Sequence, residues 1–151
     1  MKKGYTLIEL LITMAILLII FAIVSITFPA FRNTYILNKA TDETFALIQD
    51  ARSKTLSSEG FTQYGVHFAT ASTTLFSGTV FIEGNPSNSI FNLPDLSEIT
   101  SVSLEGGGND LVFERLTGAT SQNGSITISS KADLSKNKII NIGSTGIINV
   151  Q

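Results

Sequence analysis

Hydrophobic and polar positions divide the chain into stretches with different periods. Leu10 through Phe31 forms a run of 22 residues without a charge. Rising about 1.5 Å per residue, such a helix spans about 33 Å, close to the hydrocarbon thickness of a bilayer. From residue 32 to about residue 58 the pattern turns amphipathic. Ile36, Ala40, Thr44, Leu47, Ala51 and Thr55 recur at steps of three and four, and Phe45 and Ile48 widen that stripe. Arg32, Lys39, Asp42, Glu43, Asp50, Arg52 and Lys54 supply the polar remainder, and Ser57, Ser58 and Gly60 terminate it. The two stretches together predict one helix of about 50 residues.

Beyond Gly60 the period shortens to that of strands. The expected strands are Tyr64–Phe68, Thr74–Glu83, Ile99–Leu104, Asp110–Leu116, Gly124–Ser130, Asn137–Ile142 and Ile147–Val150. Ile126 and Ile128 alternate with Ser125, Thr127 and Ser129, as in a half-buried strand. Asn85-Pro86-Ser87-Asn88, Gly106-Gly107-Gly108-Asn109, Gln122-Asn123-Gly124 and Gly143-Ser144-Thr145-Gly146 read as turns. The fold class is therefore α+β: a long N-terminal helix, half transmembrane and half amphipathic, packed against a mostly antiparallel β-sheet head.

Composition adds exclusions. With 151 residues the chain is long enough for one domain and an anchor. The absence of cysteine removes disulfides, thiolate metal sites and thiol nucleophiles. The formal net charge of -2 argues against a general nucleic-acid binder, and no block of like charge stands out. His67, the only histidine, has no metal-ligand spacing around it and reads as a packed strand residue. The glycine run lacks the Lys and Ser/Thr of a phosphate loop. Asp95, Glu98, Glu105, Asp110 and Glu114 are too loosely spaced for a helix-loop-helix calcium site. No catalytic set and no cofactor is expected; the reading is not that of an enzyme.

Three readings compete for the N-terminus: a secretory signal peptide, an ordinary single-pass anchor, and a processed leader with an assembly helix. The charge-free run is longer than the usual signal core, and no small-residue cleavage site follows it. Lys2 and Lys3 ahead of the run orient either anchor with the head outside. Glu9 separates the last two readings. A carboxylate among Leu7, Ile8, Leu10 and Leu11 is costly in hydrocarbon unless it meets a partner or sits at the headgroup level. Cleavage after Gly4 would create such a partner, the amine of Tyr5.

Lys2-Lys3-Gly4-Tyr5-Thr6-Leu7-Ile8-Glu9-Leu10-Leu11 resembles the class III leader of type IV pilins and type II secretion pseudopilins. The resemblance implies cleavage after Gly4 by a prepilin peptidase, N-methylation of Tyr5, and a role for Glu9 in registering an incoming subunit during assembly. Tyr5 stands where the family most often has Phe. Pro29 lies a few residues later than the proline of many pilins, and is expected to kink the helix or mark its exit from the membrane. Domains follow as a leader (1–4), a transmembrane and assembly helix (5–31), a stalk helix (32–59) and a head (60–151). The head resembles GspH/FimT-like minor pseudopilins through Ala51-Arg52-Ser53, Tyr64-Gly65-Val66-His67-Phe68, Leu111-Val112-Phe113 with Gly118, and Ile139 to Ile148 with Gly143 and Gly146. Some such relatives bind DNA through basic residues near the C-terminus; here only Lys131, Lys136 and Lys138 are available, with Asp133 between them, so DNA is not an expected partner, and a DNA-binding minor pilin of a competence pilus, with Lys136 and Lys138 as its nucleic-acid contacts, is the alternative reading. The expected partners are a prepilin peptidase, other pilin or pseudopilin subunits and an inner-membrane assembly platform. The expected location is the cytoplasmic (inner) membrane, single-pass, and afterwards a pilus or pseudopilus.

Overall fold

The computed structural model describes residues 4–151, and the side chains of all but Ile26, Thr27, Pro29 and Ala30. The readings placed on Lys2 and Lys3 and on the Pro29 ring lie outside the described residues. Helix α1 runs Leu7–Leu56, 50 residues, as the combined apolar and amphipathic patterns require. Thr6 caps it: the Thr6 hydroxyl accepts from Glu9 N at 3.3 Å, and the Thr6 carbonyl accepts from Leu10 N at 3.2 Å. The chain divides into two compact units that meet between Asn33 and Thr34.

In the first unit, Leu7–Ser25 is long and apolar enough to cross a membrane, and none of it is buried within the protein. Hydrophobic residues cover it all round, which is the composition of a helix solvated by lipid or by other helices.

In the second unit, the helix buries Leu37, Ala40, Thr41, Thr44, Ile48, Ala51 and Thr55. Ala40, Thr44, Ile48, Ala51 and Thr55 belong to the expected stripe, while Leu37 is buried where Ile36 is half-buried, and Leu47 is half-buried. Leu37 satisfies the helical period as well as Ile36 does, and the packing of the head selects between them. Two of the buried threonines return their hydroxyls to the helix, Thr41 to the Leu37 carbonyl and Thr55 to that of Ala51, and the Thr44 hydroxyl lies 3.5 Å from that of Thr73, so small polar residues enter the core at little cost.

The head contains two four-stranded sheets rather than one. The first has the order β3-β2-β1-β5, from β1 (Tyr64–Ala69), β2 (Ser72–Ser77), β3 (Ser89–Asn92) and β5 (Asp110–Val112). The second has the order β4-β6-β7-β8, from β4 (Ser97–Leu104), β6 (Gly124–Ser130), β7 (Asp133–Ile142) and β8 (Ile148–Val150). Every pairing is antiparallel. One core joins both sheets to the helix: Ile48 and Ala51 meet Val66, Phe68, Leu75 and Leu111 of the first sheet and Ile126, Ile128, Ile140 and Ile142 of the second.

Three expected strands are shorter, Ile147–Val150 losing only its first residue, and one strand was not anticipated. Thr74–Glu83 yields only β2, because Gly78 turns the chain at φ 110. Asp110–Leu116 stops at Val112, and Leu116 sits in a turn at φ 69. β3 follows directly on the Asn85–Asn88 turn, in residues for which no strand was expected. Residues 78–88 form a strap over the outer face of the first sheet. Phe81 in this strap stacks on His67 with centroids 4.0 Å apart and meets Phe76 edge-on at 5.6 Å. Phe76 is consequently 1% exposed although it lies on the sheet face opposite the main core. Gly65, its cross-strand neighbour, admits no side chain: a Cβ there would come within 2.6 Å of the Phe76 ring.

Candidate functional site

Gly4 and Tyr5 precede the helix without regular structure, and Tyr5 is 87% exposed. A Cβ added at Gly4 would meet no atom within 4 Å among the described residues. Nothing in the fold of the chain itself therefore demands glycine there. Glu9 falls at the third helical position after the Thr6 cap, where a carboxylate is favoured by the orphan N–H groups of the first turn. Its side chain is exposed and, among the described residues, has no ion-pair or hydrogen-bond partner. Tyr5, Glu9, Leu10 and Thr13 line an open hollow of about 240 Å³. The structure thus brings Tyr5 and Glu9 together on one short surface. The capping role of Thr6 was missed, although Thr6-Leu7-Ile8-Glu9 has the spacing of a capping box.

Lys136 and Lys138 lie on the β6–β7 hairpin. The register between β6 and β7 jumps from Ser129↔Asn137 to Ser130↔Asp133, so Leu134-Ser135-Lys136 loops out of the hairpin. Lys136 is exposed in that loop, while Lys138 is half-buried opposite Ile128. Asp133 shares the loop; hydrogen bonds from the Ser135 hydroxyl and N–H lower its pKa, so it stays ionised and offsets the lysine charge.

His67 is held as a structural residue. Its Nδ1 lies 2.6 Å from Asp110 Oδ1, and because a carboxylate only accepts, Nδ1 carries the proton. The pair ties β1 to β5 and presents the ring to Phe81. Sequence distance hid this partner. No group of three or more His, Cys, Asp or Glu able to hold a metal occurs among the described residues.

The family model of the prokaryotic N-terminal methylation motif matches residues 1–25. No curated protein and no solved structure matches the chain. The methylation motif, together with a long N-terminal helix and an antiparallel head, agrees with the type IV pilin and pseudopilin superfamily as a class and selects no particular member.

Proposed function

We propose that this chain is a structural minor pilin or pseudopilin, a subunit of a type II secretion pseudopilus or type IV pilus that acts in filament assembly and protein secretion. The observation that carries this reading is the exposed Gly4-Tyr5 step, placed directly before a capped, charge-poor helix whose first turn holds Glu9. Glycine at position 4 serves recognition by a prepilin peptidase, since the chain's own packing leaves that position open. Cleavage there leaves Tyr5 as the methylated N-terminus, and its amine becomes the counter-charge for Glu9 of the same or a neighbouring subunit.

The precursor waits in the inner membrane with its head outside. On assembly, Leu7–Ser25 exchanges lipid for similar helices, and the small residues Ala15, Ala22 and Ser25 permit close approach. The resemblance of the head to GspH/FimT-like subunits favours a low-copy position. Mass spectrometry of the chain isolated from a host with a prepilin peptidase tests the processing step. A methylated Tyr5 terminus is expected; a chain that retains Met1–Gly4 overturns the reading. Counting subunits in sheared filaments tests the minor role, and an abundance equal to that of the main subunit overturns it.

A further inference from the structure

Ala51-Arg52-Ser53, Gly118 and Gly146 play no part in processing or in packing the membrane helix, yet they fold to one place. Arg52 Nε donates to the Gly118 carbonyl at 3.1 Å. Gly146, at φ 75, passes so close that a Cβ there would overlap the Gly118 carbonyl oxygen and lie 2.8 Å from Arg52 Nε. The guanidinium is thus gripped along one edge by two glycine turns. Among the described residues its terminal nitrogens make no hydrogen bond and no ion pair. Lys54, by contrast, is engaged, 3.2 Å from Asp50 and over the Tyr64 ring.

Arg52 opens onto a cleft of about 410 Å³, lined on the helix side also by Gln49, Ser53 and Leu56 and on the other by Gly146–Ile148. The spacing 49, 52, 53, 56 keeps these side chains on one helix face. The Gln49 amide and the Ser53 hydroxyl also have no hydrogen-bond partner among the described residues, while Leu56 and Ile147 expose 38% and 57% of their surface at the rim. The far wall is the turn that leads into an edge strand, whose first residue is Ile148. Ile139 and Gln151 exchange both backbone hydrogen bonds, at 3.0 and 2.9 Å, and Gly143 N donates to the Ile147 carbonyl. By the alternation of an antiparallel ladder, Ile148 and Val150 turn their N–H and C=O groups away from β7, where β8 has no further strand.

We infer that this cleft binds an extended segment of another protein chain, seating a carboxylate of that segment on Arg52 and its backbone along the open edge of β8. One unpaired guanidinium matches one carboxylate, and its free fork fits a planar pair of oxygens. A phosphodiester strand would need a row of cations, and the neighbouring lysine is already paired. Gln49 and Ser53 supply additional donors, and the rim takes an apolar flanking side chain. An added strand is a common way for an open sheet edge to recognise an extended partner. No residue of the N-terminal unit enters the cleft, so the inference stands apart from the filament reading.

The test uses the full chain in detergent micelles, labelled with ¹⁵N on the backbone and arginine side chains. The probe is a blocked pentapeptide of alternating valine and threonine around a central glutamate. Its titration is expected to shift Arg52 Nε–H and the amides of Ile148 and Val150 together. The glutamine analogue is expected to bind about tenfold more weakly or worse, as loss of charge-assisted hydrogen bonds implies. Arg52→Gln removes binding; because that residue also holds Gly118, the double variant Gln49→Ala/Ser53→Ala gives a second reading, a severalfold loss with the remaining spectrum unchanged. Equal binding of both peptides overturns the carboxylate assignment. Acetate or inorganic phosphate shifting Arg52 as strongly as the peptide overturns the peptide groove, and so does the absence of any shift at millimolar probe.

Discussion

The two ends of α1 solve the same problem in opposite ways. From Leu7 to Ser25 the helix is apolar on every side and none of it is buried within the chain. From Leu37 to Thr55 it buries a narrow stripe of mostly small residues, and its own sheets cover that stripe. A helix apolar all round carries no information about which face meets its surroundings, so it can serve lipid first and other helices later. A helix with a single fitted stripe is committed to one partner. The comparison teaches that this chain keeps its exchangeable contacts in one segment and its fixed contacts in the other.

Substitutions in the two segments should therefore differ in kind. Ile48→Ala removes a fully buried side chain at the centre of the stripe and should cost about 2–5 kcal/mol in head stability, read by denaturant unfolding of the full chain in micelles. Ile16→Ala, an equal truncation in the apolar segment, should change head unfolding by less than about 0.5 kcal/mol. Comparable losses from both would erase the distinction. Gly146→Ala comes next: backbone and guanidinium already occupy the space of its Cβ, and about 1–3 kcal/mol of stability should be lost. Phe81→Ala should cost a similar or smaller amount, about 1–2 kcal/mol, and should speed hydrogen exchange in β2 and β3 more than in the second sheet.

The smallest effect concerns Asp133. Its folded pKa is lowered, so the contribution of its bonds to Ser135 is present above the unfolded carboxylate range and lost as pH falls through the lowered value. Exchange of the Ser135 amide, corrected for its intrinsic pH dependence, should rise only below about pH 4, with the core amides unmoved.

Much of this architecture was legible because periodicity reports burial. The charge-free run, the step-of-three-and-four stripe and the alternating Ile126 and Ile128 each led to the right element. The stripe was placed correctly at Ala40, Thr44, Ile48, Ala51 and Thr55 and differs at its upper end, where Ile36 fits the period as well as Leu37 does; which of the two is buried is decided by sheets far away in sequence. Val80-Phe81-Ile82 looked like strand because all three residues favour β structure. In the fold they form a strap whose single inward ring covers His67 and Phe76. The Gly4-Tyr5 step and Glu9 were readable because they form a contiguous motif. The Arg52 cleft was not, because Arg52, Gly118 and Gly146 meet only in the fold, through the Arg52–Gly118 hydrogen bond and the close approach of Gly146.

The central claim is that Glu9, with the Tyr5 amine as its counter-charge, serves filament assembly and not the stability of the folded head. The decisive measurement compares wild type with Glu9→Gln by quantitative mass spectrometry of membranes and of sheared filaments. The account predicts that Glu9→Gln is cut after Gly4, keeps a normally stable head and accumulates in the membrane, but is strongly depleted from filaments. Incorporation of Glu9→Gln into filaments at wild-type levels would contradict it.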